Sequence, residues 1–245
     1  MSQRTAYAAG NWKMHGLSGD LSEVAGIASA AKANPGVATV LCLPATLMDR
    51  ARSTGVGLGG QDCHSAASGA HTGDTSSAMF ADAGAGFVIV GHSERRTDHG
   101  ESDALVAAKA KMAWSEGLTA IICIGETEAQ YRAGETLDVL RSQIAGSVPE
   151  GATPDNTVIA YEPVWAIGTG LTPSIEEIQT THAAIRAALP DPALSILYGG
   201  SVKPGNAKEI FALDDVDGGL VGGASLKASD FVPIIEALAN AKGGA

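Results

Sequence analysis

A single closed (β/α)8 barrel spanning residues 1–245 is the fold this sequence predicts. Short apolar runs recur eight times along the chain, and stretches of helical character lie between them. None of the runs alternates cleanly between apolar and polar residues, which suits parallel strands covered on both faces. No linker-like interruption breaks the order. An open doubly wound sheet is the competing architecture, but no GxGxxG follows the first run.

The candidate strands are TAYAAG (5–10), ATVLCLP (38–44), VGLGGQ (56–61), GFVIVG (86–91), TAIICIGE (119–126), TVIAYEP (157–163), LSILYGG (194–200) and VDGGLVGG (216–223). The first helix is predicted over 20–33, opening after Ser18-Gly19 and stopping at Asn34-Pro35. A second covers 101–117 and ends at Gly117, and a third covers 127–146 with apolar residues at helical spacing. The stretch 174–189 lies between Pro173 and Pro190 and carries Glu176 and Glu177 in its first turn, where negative charge suits the helix dipole. The last helix, 229–242, opens on Ser229 and Asp230, both suited to a cap or first turn. The connection after the third strand, 62–79, has no periodicity; a loop that long is usually functional or docked on something, and its small, weakly polar residues suit an oligomer contact.

Composition narrows the function. Hydrophobic residues make up 45% of the chain, which argues against disorder. The formal net charge is −11 and there is no Lys/Arg run, so neither nucleic acid nor an anionic membrane is an expected partner. An anionic substrate would need a locally positive site. The cysteines Cys42, Cys63 and Cys123 are odd in number and lack CxxC spacing, so they read as buried reduced thiols. No basic start followed by an apolar stretch suggests a signal peptide, and no apolar run approaches about 20 residues.

In a barrel of this kind the chemistry lies at the carboxyl ends of the strands. Gly199-Gly200-Ser201 and Gly222-Gly223 end the last two, each leading toward a helix. Glycine lets backbone approach a ligand, and free N–H groups there bind phosphate without any basic side chain. Lys13, three residues past the first strand and beside Asn11, could hold a dianion and polarise a substrate oxygen. His92 ends the fourth strand and opens a short helical turn, whose N-terminus favours the neutral, hydrogen-bond-donating ring. The other histidines, His15, His64, His71, His99 and His182, show no metal-ligand spacing with it. Glu162 stands at the end of an apolar strand, where desolvation is expected to raise its pKa and make it a stronger base. Pro163 restricts the backbone after it, and VWAIGTG (164–170) offers apolar surface and glycines for a lid.

Together GNWKM (10–14), GHSERR (91–96), CIGET (123–127), AYEPVWAIGTG (160–170), YGGSV (198–202) and GGLVGGASL (218–226) resemble, in order, the motifs of the triosephosphate isomerase family. That family is a standard illustration of a carboxylate base working with a neutral imidazole. The resemblance runs from the first strand to the last helix and implies a TIM barrel. It implies cofactor-free interconversion of glyceraldehyde 3-phosphate and dihydroxyacetone phosphate through an enediolate. Glu162 would be the base, His92 the electrophile, Lys13 the stabilising cation and Asn11 a hydrogen bond to substrate. Glu94 would orient Lys13, and Cys123 would pack in support near the site. Backbone N–H groups of Gly168, Ser201, Gly222 and Gly223 would hold the phosphate. No metal or organic cofactor is implied. Gln61 and SGAHTGD (68–74) resemble the family's interdigitating loop, with Thr72 reaching a partner subunit, so a cytoplasmic homodimer in central carbon metabolism is implied. This sequence departs from the family in the segment after Gly170, where Leu171-Thr172-Pro173 makes the hinge shorter. A phosphate-binding barrel lyase or aldolase is the alternative, but a Schiff-base enzyme would want a lysine inside a strand, and the candidate strands contain none. A catalytically dead binding protein on the same fold would be expected to have lost Glu162, His92 or Lys13.

Overall fold

The computed structural model describes residues 4–167 and 172–242. Eight parallel strands close into a barrel in chain order: Tyr7–Asn11 (β1), Ala38–Cys42 (β2), Gly57–Gly60 (β3), Phe87–Val90 (β4), Thr119–Ile124 (β5), Thr157–Tyr161 (β6), Ser195–Tyr198 (β7) and Gly218–Val221 (β8). Closure comes from β1 pairing with β8, Tyr7 opposite Gly218, so no edge is left unpaired. Every predicted strand is present, a residue or more shorter at one or both ends than its apolar run.

Among the described residues ten α-helices accompany them: Leu21–Ala33 (α1), Ala45–Ala51 (α2), Ser77–Asp82 (α3), Ser93–His99 (α4), Asp103–Ser115 (α5), Glu128–Arg132 (α6), Thr136–Ser147 (α7), Ile175–Ala188 (α8), Ala207–Phe211 (α9) and Ala228–Lys242 (α10). The stretch 127–146 is two helices rather than one. They part at Gly134, whose φ of 76° ends α6 in a left-handed turn. The start of α10 also differs from expectation. The helix begins at Ala228, ahead of Ser229, and Glu23 of α1 accepts the Ala228 N–H at 2.8 Å. A neighbouring helix supplies the acceptor that a local cap residue was expected to supply.

Two apolar layers fill the structure. Tyr7, Ala9, Val40, Cys42, Ile89, Ile121, Cys123, Val158, Ala160, Leu197 and Leu220 form one cluster inside the barrel. The strand residues between them, such as Ala8, Leu41, Val88, Ile122, Ile159 and Ile196, join the helices in the outer cluster. Strand side chains alternate with period two. Continuing the inward phase past the strand ends places Asn11, Glu162, Gly199 and Gly222 over the barrel mouth.

The third loop is tied down by a buried ionic cluster. Lys109 Nζ of α5 lies 2.7 Å from Asp62 and 2.6 Å from Glu101, and Arg95 pairs with the same two carboxylates at 2.9 and 2.6 Å. In α8, His182 is wholly buried beside Tyr161 and Tyr198. Its Nδ1 lies 3.0 Å from the Asp215 carbonyl, so Nδ1 carries the proton of the neutral ring. Burial pulls its pKa down from 6.5 to about 4. The unfolded chain therefore binds a proton that the folded chain refuses, and stability falls as pH drops from 6.5 toward 4. This residue alone should account for about 3 kcal/mol of that fall. Urea unfolding across this range should show a correspondingly flatter curve for His182→Gln.

Candidate active site

A cavity of about 270 Å³ opens over the barrel mouth, lined by Asn11, Lys13, His92, Glu162, Ser201 and Gly223 among others. Gly222 also lines it. Seven residues chosen from sequence thus converge from the ends of five strands. Gly168, the eighth lining residue expected, lies outside the described residues. Ile167 and Lys203 complete the wall, and Lys203 is a cation that strand-end reasoning did not single out.

Glu162 sits at the centre. It is 2% exposed, and its neighbour across β5 and β6 leaves no freedom: a Cβ on Gly125 would lie 1.8 Å from the Glu162 carbonyl oxygen. A Cβ on Gly199 would come within 2.9 Å of the Glu162 Cγ. The carboxylate lies 2.8 Å from His92 Nε2, and accepts the Ser93 N–H at 3.0 Å and the Ser93 hydroxyl at 3.4 Å. Cys123 packs beneath it; burial and the Glu162 charge push the thiol pKa well up, so it stays un-ionised. The expectation of a raised Glu162 pKa is reversed in this arrangement. Burial does push it up, but His92, the Ser93 N–H and the Cys123 thiol stabilise the anion by more, and the net direction is down. In this arrangement the donors hold the carboxylate as a weak base, and removing them would leave burial to raise its pKa.

His92 caps α4, its Nδ1 accepting the Glu94 N–H at 3.2 Å, so the neutral ring carries its proton on Nε2. That is the atom facing Glu162. Burial lowers the His92 pKa, and the facing carboxylate raises it by more, against the expectation that the helix N-terminus disfavours the charged ring. A substrate group that separates the pair removes the raising cause and leaves burial acting alone.

Lys13 holds an unusual backbone. Its φ of 50° is the sole positive value at a non-glycine among the described residues. Three contacts impose it: the Lys13 N–H donates to Asn11 Oδ1 at 2.9 Å, the Lys13 carbonyl accepts from Gln61 Nε2 at 2.7 Å, and Nζ meets Glu94 at 2.5 Å. Gln61 also reaches the Cys42 carbonyl at 3.1 Å, fixing it to the end of β2. Strain of this kind collects at functional positions.

Across the cavity, the N–H groups of Ser201 and Gly223 donate no hydrogen bond to any of the described residues. A Cβ on Gly223 would meet nothing within 4 Å. Open space above unclaimed N–H groups suits an anion. The base side is braced from behind. Arg96 holds the Gly91 carbonyl at 2.8 Å, Asp103 at 2.6 Å, the Cys123 carbonyl at 3.2 Å and Ser147 at 2.9 Å. Gln143 of α7 accepts from the Gly125 N–H at 2.7 Å and donates to the Gly125 carbonyl at 3.1 Å. Beyond Pro163, residues Val164–Ala166 form one 3-10 turn, and Trp165 Nε1 donates to Glu126 at 2.8 Å. Ser93, Gln61, Arg96 and Gln143 act through folded geometry; the places of Ser93 and Arg96 in GHSERR and of Gln61 beside the third loop hinted at them, and nothing hinted at Gln143.

Thr72 lies exposed at the tip of the third loop, away from this cavity. Nearby, His64, His71 and Asp74 form a group of potential metal ligands. His64 Nδ1 already accepts the Ala66 N–H, so its Nε2 carries the proton, and the two imidazoles stack with ring centres 3.9 Å apart.

A carboxylate, an Nε2–H donor and an ammonium face a wall of unclaimed backbone N–H groups across a small cavity. That set suits removal of a proton beside the carbonyl of a small phosphorylated compound.

The model of the triosephosphate isomerase family matches residues 6–238. A triosephosphate isomerase from a Chelativorans species is 59% identical over 242 residues, covering 94% of this chain and 95% of that one. One from Ruegeria pomeroyi is 55% identical and covers 98% of this chain and 100% of that one. The crystal structure of triosephosphate isomerase from Bartonella henselae superposes with a TM-score of 0.88 at 44% identity, covering 95% of this chain and 98% of that one.

Lys13→Gly separates strain from function. Glycine accepts φ of 50° freely, so the variant should be more stable to urea by about 1 kcal/mol. Loss of the ammonium should weaken binding of inorganic phosphate roughly tenfold by calorimetry.

Proposed function

The chain belongs to the triosephosphate isomerase family and interconverts D-glyceraldehyde 3-phosphate and dihydroxyacetone phosphate, and from that premise we propose that Glu162, His92, Lys13 and Asn11 carry the reaction. The observation that carries this reading is the 2.8 Å contact between the Glu162 carboxylate and His92 Nε2 inside the anion-binding cavity. A substrate carbonyl and its neighbouring carbon inserted between these groups meet an acid on one side and a base on the other.

Binding displaces Glu162 from His92 and Ser93, and the desolvated carboxylate then takes a proton from carbon. The C–H electron pair becomes the C=C bond of an enediolate, and the carbonyl π pair moves onto oxygen. His92 Nε2–H donates to that oxygen and recovers a proton from the adjacent one. Glu162 returns its proton to the second carbon, which completes the aldose–ketose exchange. Lys13 opposes the charge on the enediolate, and Asn11 donates to substrate from the same strand end. Glu94 orients Lys13, and Cys123 supports Glu162 from below. Ser201, Gly222 and Gly223, with Gly168, hold the phosphate through backbone N–H groups. The residues call for proton transfers alone, so no metal or organic cofactor enters the scheme. A Schiff-base reading is not favoured: the eight strands contain no lysine, and Lys13 is engaged by Glu94.

We also propose a homodimer working in the cytoplasm, in glycolysis and gluconeogenesis, with Thr72 inserted into the partner. Met14, Leu17 and Met79 flank the first and third loops and remain exposed, which suits an apolar contact there. No helix among the described residues is long and apolar enough to cross a membrane.

Glu162→Gln keeps the shape and removes the base. Turnover of glyceraldehyde 3-phosphate, coupled to a dehydrogenase, should fall by roughly 10³-fold or more, with KM little changed. Turnover within tenfold of the parent would reject Glu162 as the base.

A further inference from the structure

A second cavity of about 280 Å³ is lined by Trp165, which does not line the first. Trp165 stacks on Tyr131 at 4.1 Å with 21° between the rings, and the Tyr131 hydroxyl donates to Glu177 at 2.9 Å. Glu126 closes the floor. One of its carboxylate oxygens holds Trp165 Nε1 at 2.8 Å and the Tyr161 hydroxyl at 3.2 Å. The other, Oε2, is wholly buried without a hydrogen-bond partner, although the Thr136 hydroxyl stands close enough to influence the group. Glu176 and Glu177 stand at the exposed rim, and Pro173, Leu137 and Ile178 provide apolar wall. Three carboxylates and two stacked aromatic rings thus surround an apolar space to which the described residues contribute no Lys, Arg or His.

We propose that this cavity is a second binding site, for a small protonated amine carried on a flat apolar body. The flat body would lie against the Tyr131–Trp165 pair and the proline. The ammonium would take the rim carboxylates and the attraction of the ring faces. The Glu126 carboxyl, whose pKa burial raises, would add to that attraction in its ionised form through a low-dielectric floor. Neutral and anionic analogues lack these terms and bind worse. Trp165 stands three residues after Glu162, at the root of the segment read above as a lid. An amine that pins it against Tyr131 and Glu126 would therefore slow turnover, and this consequence rests on the lid reading.

Benzylammonium is the probe. Each of the three tryptophan indole N–H groups has its own acceptor, the Ser225 carbonyl for Trp12, the Asn156 carbonyl for Trp114 and Glu126 for Trp165. Their ¹H–¹⁵N signals in the full-length protein report on three separate places, with Trp165→Phe assigning the relevant one. Benzylammonium should move the Trp165 signal saturably, and benzyl alcohol should bind at least about tenfold more weakly. Glu126→Gln and, should that variant fail to fold, Glu176→Gln should each weaken benzylammonium severalfold. No saturable movement of the Trp165 signal, equal affinity for benzyl alcohol, or displacement by inorganic phosphate would overturn the site. Saturable movement with unchanged isomerase turnover would keep the site and reject the link from Trp165 to the lid.

Discussion

Everything at the mouth of this barrel is arranged around one buried carboxylate. An ionised Glu162 cut off from water is tolerable only with donors at hand. They come from two elements: His92 and the Ser93 N–H at the start of α4, and the Cys123 thiol on β5. The strands must keep register for these groups to meet, and Gly125 and Gly199 must lack side chains. A groundwork of parallel ladders with no free edge supplies that register. The same donors that make Glu162 acceptable in the folded protein lower its basicity, so in the proposed mechanism substrate takes their place before chemistry begins.

A chain of net charge −11 that binds a phosphorylated substrate has to solve an electrostatic problem locally. Two lysines line the cavity, and one of them is shared with Glu94. In the proposed scheme the remainder falls to backbone dipoles at Ser201 and Gly223, which carry no formal charge and leave the acidic surface unchanged. Lys13 shows how tightly placement matters. Asn11, Gln61 and Glu94 hold it in a backbone conformation that lysine ordinarily avoids, and an ammonium on a relaxed loop would not be fixed over the same point.

The fold was legible because fully covered parallel strands write themselves as apolar runs, and eight such runs separated by helices admit few closed arrangements. Short helices such as α2, α3 and α9, of seven, six and five residues, are too brief to show a period. Gly134 inside an otherwise helical pattern was readable as a residue but not as a break. The cap of α10 could not be read locally, since Glu23 lies about two hundred residues away. Within the site, Asn11, Lys13, His92 and Glu162 were accessible because strand ends locate them and their chemistry is distinctive. Ser93, Arg96 and Gln143 serve by bonding across elements, which no linear spacing encodes. The direction of the Glu162 pKa was misjudged for the same reason: desolvation is visible in an apolar strand, whereas the donors that outweigh it arrive from elsewhere in the chain.

The clamp of Gln143 on both polar groups of Gly125 has a consequence for motion. Gln143 is carried on α7, on the outside of the barrel, and Gly125 is packed directly against the Glu162 backbone. Opening of α7 by local unfolding would release Gly125 and loosen the ledge that holds the base. Amide protection in α7 and the fraction of molecules ready to react therefore draw on a shared free energy, though no atom of that helix reaches the substrate cavity.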